Sequence, residues 1–283
     1  MEDRGKNNWL EIGTSVIGNS HIASGIPCQD AHYSCAINDN WRIAIVSDGA
    51  GSHENSHLGS QFVVKDAVDV FSKLLHGEKW LENITLPSPS EWRDQAITGL
   101  SFMYDNLKNH AKALNVDFKS VSCTIILAIY SKNGILTAHI GDGRAALMTR
   151  EGLWKSAMIP FKGEEVGSTV FISSDYTWEE PWHCIETRVF SEPIHAFALL
   201  TDGLENYSFY CYLKKENHEL FYDPNEPFTD FFNQNISGIK NMYKNGLSKN
   251  EIEEKFSEYL SAGHPDIALE NDDKTIIIGI MTN

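Results

Sequence analysis

The way apolar runs are grouped along the chain limits its fold more than any other feature. One strand-like run, Trp41 to Val46 (WRIAIV), is followed by a long stretch of helical pattern. Four more runs then come together: Cys123 to Tyr130, Ile135 to Ile140, Ala145 to Met148 and Ala196 to Thr201. A last run, Lys274 to Met281 (KTIIIGIM), closes the chain. Their richness in Ile and Val suits pleated, buried backbone. In the helical stretch, Leu58, Phe62, Val63, Ala67, Phe71, Leu74 and Leu75 recur at steps of three and four, one face of a helix. After a loop with Pro87 and Pro89, a second helix is expected from about Ser90, a suitable N-cap, to Leu114. Its stripe is Trp92, Ala96, Leu100, Met103, Leu107, Ala111 and Leu114. Further helices are expected around Thr229 to Gly238 and Ser248 to Leu260. Strands in blocks, not alternating singly with helices, indicate an α+β chain of mainly antiparallel sheet with helices packed outside.

The chain reads as one domain over residues 1–283, without internal repeats or low-complexity linkers. Residues 159–186, with Gly163, Gly167 and Pro181, read as a long surface loop or flap. Net charge is −16, so the field repels nucleic acid and anionic membrane, and neither is expected as a partner. The cysteines, Cys28, Cys35, Cys123, Cys184 and Cys211, are odd in number and show no C-x-x-C pair. Reduced buried thiols fit better than a zinc site or disulfide framework. The N-terminus has no apolar signal-peptide core and the longest apolar runs are too short to span a bilayer, so the cytoplasm is the expected location.

The chemistry lies where the aspartates sit. Asp48 ends the run IAIVSDG, Asp202 ends FALLTDG, and Asp272 and Asp273 precede TIIIGIM. Asp30, in PCQDAHY, stands just before another expected strand. Strand packing could bring these to one rim. Crowded carboxylates repel, and a divalent cation is the usual way to keep them ionised. Oxygen-only ligation favours magnesium or manganese over zinc. For any one aspartate alone, an Asp-Gly turn is the commoner explanation. Asp142, in HIGDGRAA between two short runs, is sufficiently explained as a hairpin turn. Spacing alone therefore reaches only a possible oxygen-ligated metal site.

The ordered segments resemble the metal-dependent type 2C protein serine/threonine phosphatases, in a form closest to compact bacterial members. Gly18-Asn19-Ser20-His21 through Pro27-Cys28-Gln29-Asp30-Ala31 is similar to the family's N-terminal Asp motif. Ser47-Asp48-Gly49-Ala50-Gly51-Ser52-His53 is similar to its Asp-Gly-x-Gly-Gly-His loop. Ser122-Cys123-Thr124, Ile140-Gly141-Asp142-Gly143-Arg144, Thr201-Asp202-Gly203-Leu204 and Asp272-Asp273-Lys274-Thr275 follow in the family's order, nearly to the end of the chain. The resemblance implies two packed antiparallel β-sheets flanked by helices and a two-metal centre at one end. It implies that Asp48 bridges two manganese or magnesium ions, that the Gly49 carbonyl binds one, and that Asp202 and Asp272 complete the other. Asp30 would hold water behind the ligands, and Asp117 would hold a third, weaker ion. The implied activity is hydrolysis of phosphoserine and phosphothreonine in proteins by a metal-activated water, opposed by a protein kinase.

The chain also departs from the pattern. Many members carry an arginine shortly before the first aspartate motif that grips phosphate; here Ser24 and Gly25 stand in that region, and no arginine lies between Arg4 and Arg42. Ser52 replaces a loop glycine and Gly143 a serine. His53 keeps the spacing of the loop histidine and is either the acid for the leaving group or a solvated loop residue. Arg144 reads as a structural ion-pair partner. The missing arginine motivates an alternative, a catalytically weak or inactive phosphatase-like binding or regulatory module. A nuclease is disfavoured by the acidic balance.

Overall fold

The computed structural model describes residues 9–83, 85–163, 168–214 and 221–282. The strands are β1 (Trp9–Val16), β2 (Ala31–Ala36), β3 (Arg42–Ser47), β4 (Ile125–Ser131), β5 (Gly134–Ile140), β6 (Arg144–Thr149), β7 (Trp154–Ser156), β8 (Glu186–Phe190) and β9 (Ile194–Leu200). Two-residue pairs follow: β10 (Phe209–Tyr210) with β13 (Glu226–Pro227), and β11 (Leu213–Lys214) with β12 (Phe221–Tyr222). β14 (Lys274–Met281) is last.

The α+β expectation holds. One sheet has the order β1-β14-β9-β6-β7 and the other β2-β3-β4-β5-β8, and every pairing in them is antiparallel. Between the sheets lie Trp9, Ala44, Val46, Ile126, Tyr130, Phe197 and Ile277. The outer face of the second sheet packs against helices Ser56–Gly77 and Pro89–Leu114. The outer face of the first packs against helices Thr229–Lys244 and Lys249–Glu258. A sheet covered on both faces needs apolar residues at successive positions, not alternate ones. That is why β4 and β5 read as continuous apolar runs and are buried throughout.

The second long helix is capped two residues earlier than expected. Pro89 takes the first helical position, where its missing N–H costs nothing, and Ser88 is the cap: its Oγ accepts from Glu91 N while Glu91 Oε2 accepts from Ser88 N. Residues 159–163 and 168–186 are not loop throughout. They carry short helices at Asp175–Glu179 and Pro181–Cys184, and Ile172 N donates to Cys123 O at 3.0 Å, pinning the segment to the core. The remainder of the expected flap, 164–167, lies outside the described residues.

β1 carries no clear sequence signal, because Glu11, Gly13, Thr14 and Ser15 interrupt its apolar residues. Its polarity has a structural reason. Glu11, only 2% exposed, accepts from Tyr130 OH at 2.7 Å and from Arg42 Nη2 at 2.8 Å, with Arg42 Nε in close contact as well. Arg42 and Tyr130 belong to the second sheet, so this triad ties the two sheets together. Removing one partner of such a set leaves the others buried without compensation. Glu11→Ala should therefore lower the unfolding free energy by about 3–5 kcal/mol, read by urea denaturation. A loss under about 1 kcal/mol, the worth of an exposed pair, would show that the triad does not couple the sheets.

Candidate metal centre

The strand ends carry their aspartates to one rim. Asp48 follows β3, Asp202 follows β9, Asp272 precedes β14, and Asp142 lies in the turn from β5 to β6, where the chain passes between sheets. Ligand oxygens of Asp48, Asp142 and Asp202 all lie within 4.8 Å of one another. Asp272 stands close enough for its charge to act on both Asp48 and Asp202.

Local backbone contacts hold each position. Asp48 N donates to Thr124 Oγ1 at 3.0 Å, Thr124 N returns a bond to Asp48 O at 2.8 Å, and Ser47 Oγ donates to Thr124 O at 2.6 Å. The Ser122-Cys123-Thr124 segment thus fixes the Asp48 backbone from the neighbouring strand. Gly141 has φ 121°, a left-handed conformation that favours glycine, and this turn directs the chain through Asp142. A Cβ on Gly203 would meet Asp273 O at 2.0 Å, so only glycine lets the Asp202 turn close on the Asp272–Asp273 backbone.

Behind the cluster, buried Asp30 accepts from Thr201 Oγ1 at 2.7 Å, and Thr201 Oγ1 also accepts from Thr275 N at 3.1 Å. Asp273 is structural: its carboxylate accepts from Gly18 N at 2.7 Å and Gln29 N at 2.5 Å, and His21 Nδ1 lies 2.9 Å away. Gly49 is buried beside Asp48, its N–H donating to Gln29 O at 3.2 Å. His53, half-buried, is placed by its own N–H on Ala50 O at 2.9 Å and by Gln29 Nε2 on its carbonyl at 3.2 Å.

Burial and mutual repulsion dominate the electrostatics. Asp48 is pushed well above the ordinary carboxylate range, first by burial and then by Asp202, Asp30, Asp272 and Asp142. Asp202 is raised likewise, by burial and then by Asp142, Asp272, Asp30 and Glu205. Burial lifts Asp142 to about 6 and Asp30 to about 7, the latter opposed by the Thr201 hydrogen bond. A divalent cation removes this conflict by giving the oxygens a common positive partner. The donor set, all oxygen, fits hard cations of the magnesium, manganese or calcium type. The residues present therefore fit a metal centre.

Asp142, read from the sequence as a turn residue, is both a turn residue and a member of the cluster. A turn between strands of different sheets was indistinguishable from a hairpin without knowing that β5 and β6 part company. Asp117, expected to hold an additional ion, is exposed and caps the turn Phe118–Val121, accepting from Lys119 N at 2.8 Å; it is not one of the three gathered carboxylates. Arg144 is a structural partner as expected. It is fully buried and bonds Glu205, Asp223 and Asn225 at 2.6 to 3.3 Å. Lys162, which no motif marked, reaches the same Glu205 at 3.2 Å.

A model of the family described as Protein phosphatase 2C matches residues 17–250. Serine/threonine-protein phosphatase 3 of Escherichia coli (strain K12) is 27% identical over 234 residues, covering 80% of this chain and 83% of that protein. Among solved structures, serine-threonine phosphatase 2C from Toxoplasma gondii superposes with a TM-score of 0.59 at 12% identity, covering 96% of this chain and 94% of that one. The S. agalactiae serine/threonine phosphatase gives 0.56 at 16% identity, covering 96% and 99%. At these identities the structural likeness establishes the fold.

The raised carboxyls set a pH dependence. A carboxyl whose value in the fold exceeds its value near 4 in the unfolded chain holds a proton that the unfolded chain has released. Its stability contribution is present below about pH 4 and is lost as pH rises through about 6 for Asp142 and about 7 for Asp30. In chelator, the melting temperature should fall as pH rises from about 5 to about 8, manganese should restore it, and Asp202→Asn should flatten the slope. A melting temperature that stays level over that range, with no response to Asp202→Asn, would show that the carboxylates are not in conflict.

Proposed function

The chain belongs to the protein phosphatase 2C family, and from that premise we propose that it hydrolyses phosphoserine and phosphothreonine esters of proteins at the carboxylate rim. The observation that carries this reading is the gathering of Asp48, Asp142 and Asp202 within 4.8 Å of one another. The E. coli relative's description as a serine/threonine-protein phosphatase supports the substrate class. In this reading 1–283 act as one catalytic domain in the cytoplasm, on substrates phosphorylated by an opposing kinase. That no helix among the described residues is long and apolar enough to cross a membrane is compatible with that location.

Asp48, the Gly49 carbonyl, Asp202 and Asp272 would hold two manganese or magnesium ions, with Asp142 offering a further oxygen. When bound, such ions supply a water of lowered pKa and neutralise developing phosphoryl charge. The protein's share is positioning. Thr201 holds one oxygen of Asp30 by donation, which fixes a carboxyl behind the cluster that would orient a water molecule. Asp273, saturated by the Gly18 and Gln29 amides, fixes the backbone that presents Asp272. The seryl or threonyl leaving oxygen needs a proton as its bond to phosphorus breaks. His53, its backbone held by Gln29 and Ala50, is the candidate donor. Phosphoryl transfer asks mainly for in-line placement and charge stabilisation, so no protein nucleophile is required. The retained carboxylate set lends no support to a non-catalytic module.

Hydrolysis of a phosphothreonine peptide should depend on manganese and fall at least about 100-fold in Asp48→Asn, Asp142→Asn and Asp202→Asn, with Asp30→Asn losing about 10–100-fold, the range typical of groups behind metal ligands. Metal binding without turnover by the wild-type chain would overturn the reading.

A further inference from the structure

The centre is strongly negative, and an incoming phosphate monoester is negative too. Besides metal, a protein cation facing the phosphoryl oxygens would lower that cost. Among the described residues, the cations around the rim differ sharply in availability. Arg144 is 0% exposed and committed to Glu205, Asp223 and Asn225. His21 sits against Asp273. Lys274 is 1% exposed, among Glu270, Asp273 and Cys28.

Lys162 is different. Its neighbour Phe161 donates its N–H to Gly141 O at 2.8 Å, which ties the segment to the residue before Asp142. The Lys162 charge is felt by Asp142, and its side chain is 30% exposed. Nζ contacts Glu205 Oε1 at 3.3 Å and Oε2 at 3.2 Å, Tyr212 OH at 2.8 Å and Asp223 Oδ2 at 3.6 Å, and lies 4.2 Å from the Tyr212 ring centroid. Glu205 does not depend on it. Arg144 bonds the same carboxylate through Nε at 2.9 Å and Nη2 at 2.8 Å, so Glu205 and Asp223 each keep a hydrogen-bonded cationic partner if Lys162 moves away. A lysine is also suited to the motion, being a point charge on a flexible stem.

We propose that Lys162 binds the phosphoryl oxygens of the substrate at this centre, exchanging Glu205 for phosphate while Arg144 keeps Glu205 paired. The inference rests on the phosphatase reading above and assigns the phosphate-gripping cation within it. It accounts for how a chain without an arginine between Arg4 and Arg42 holds its substrate.

The test compares wild type, Lys162→Met and Lys162→Arg, each loaded with manganese. Calorimetry measures inorganic phosphate and manganese binding, and kinetics on a phosphothreonine peptide separate KM from kcat. Loss of one charge-assisted contact should weaken phosphate binding and raise KM about tenfold or more in Lys162→Met. Manganese affinity and melting temperature should stay near wild type, and Lys162→Arg should recover most of the phosphate affinity. Unchanged phosphate affinity and KM in Lys162→Met would overturn the assignment. So would a loss that tracks melting temperature or manganese affinity and is not recovered by arginine, since that marks a structural partner of Glu205. Wild-type protein that binds neither manganese nor phosphate would overturn the phosphatase reading along with it.

Discussion

Repulsion among carboxylates that the fold forces together is the constraint around which the rest of the structure is organised. Asp48 and Asp30 flank strands of one sheet, Asp202 and Asp272 flank strands of the other, and Asp142 lies where the chain crosses between them. No single hairpin or helix could assemble this set. It exists because two sheets pack face to face with their ends aligned, and because the apolar layer between them supplies the free energy that opposes the repulsion. The Glu11–Arg42–Tyr130 triad within that layer is polar but internally satisfied, and can add sheet-to-sheet register without an uncompensated charge.

Small contacts turn this packing into a site. Thr124 fixes Asp48, Thr201 fixes Asp30, and Asp273 spends its carboxylate on backbone amides so that Asp272 need not move. Gly203 allows two loops to touch where any side chain would hold them apart. The Asp48, Asp142 and Asp202 carboxylates meet where these supports converge, and the neighbouring ion pairs of Arg144 and Lys162 with Glu205 lie at the same rim.

Much of this was legible beforehand. Strand runs buried on both faces, such as those of β4 and β14, announce themselves by composition, and the stripes of helices Ser56–Gly77 and Pro89–Leu114 by period. The aspartates at strand ends were visible as residues, and their order carried the family resemblance. What could not be read was whatever depends on long-range pairing. β1 was hidden by a glutamate whose partners lie on another sheet. Asp142 looked like a hairpin because nothing local says that β5 and β6 separate. Asp117 offered a carboxylate at loose spacing, and its side chain accepts from Lys119 N in a local cap. Lys162 lies outside any motif, and its place near Asp142 follows from the backbone bond of its neighbour Phe161 to Gly141.

The central claim is that these carboxylates converge to hold divalent cations. Diffraction from manganese-loaded crystals at the metal absorption edge tests it most directly. Anomalous peaks among Asp48, Asp142, Asp202 and Asp272 are the predicted result. An empty rim at saturating manganese, or peaks confined to other surface carboxylates, would contradict the account.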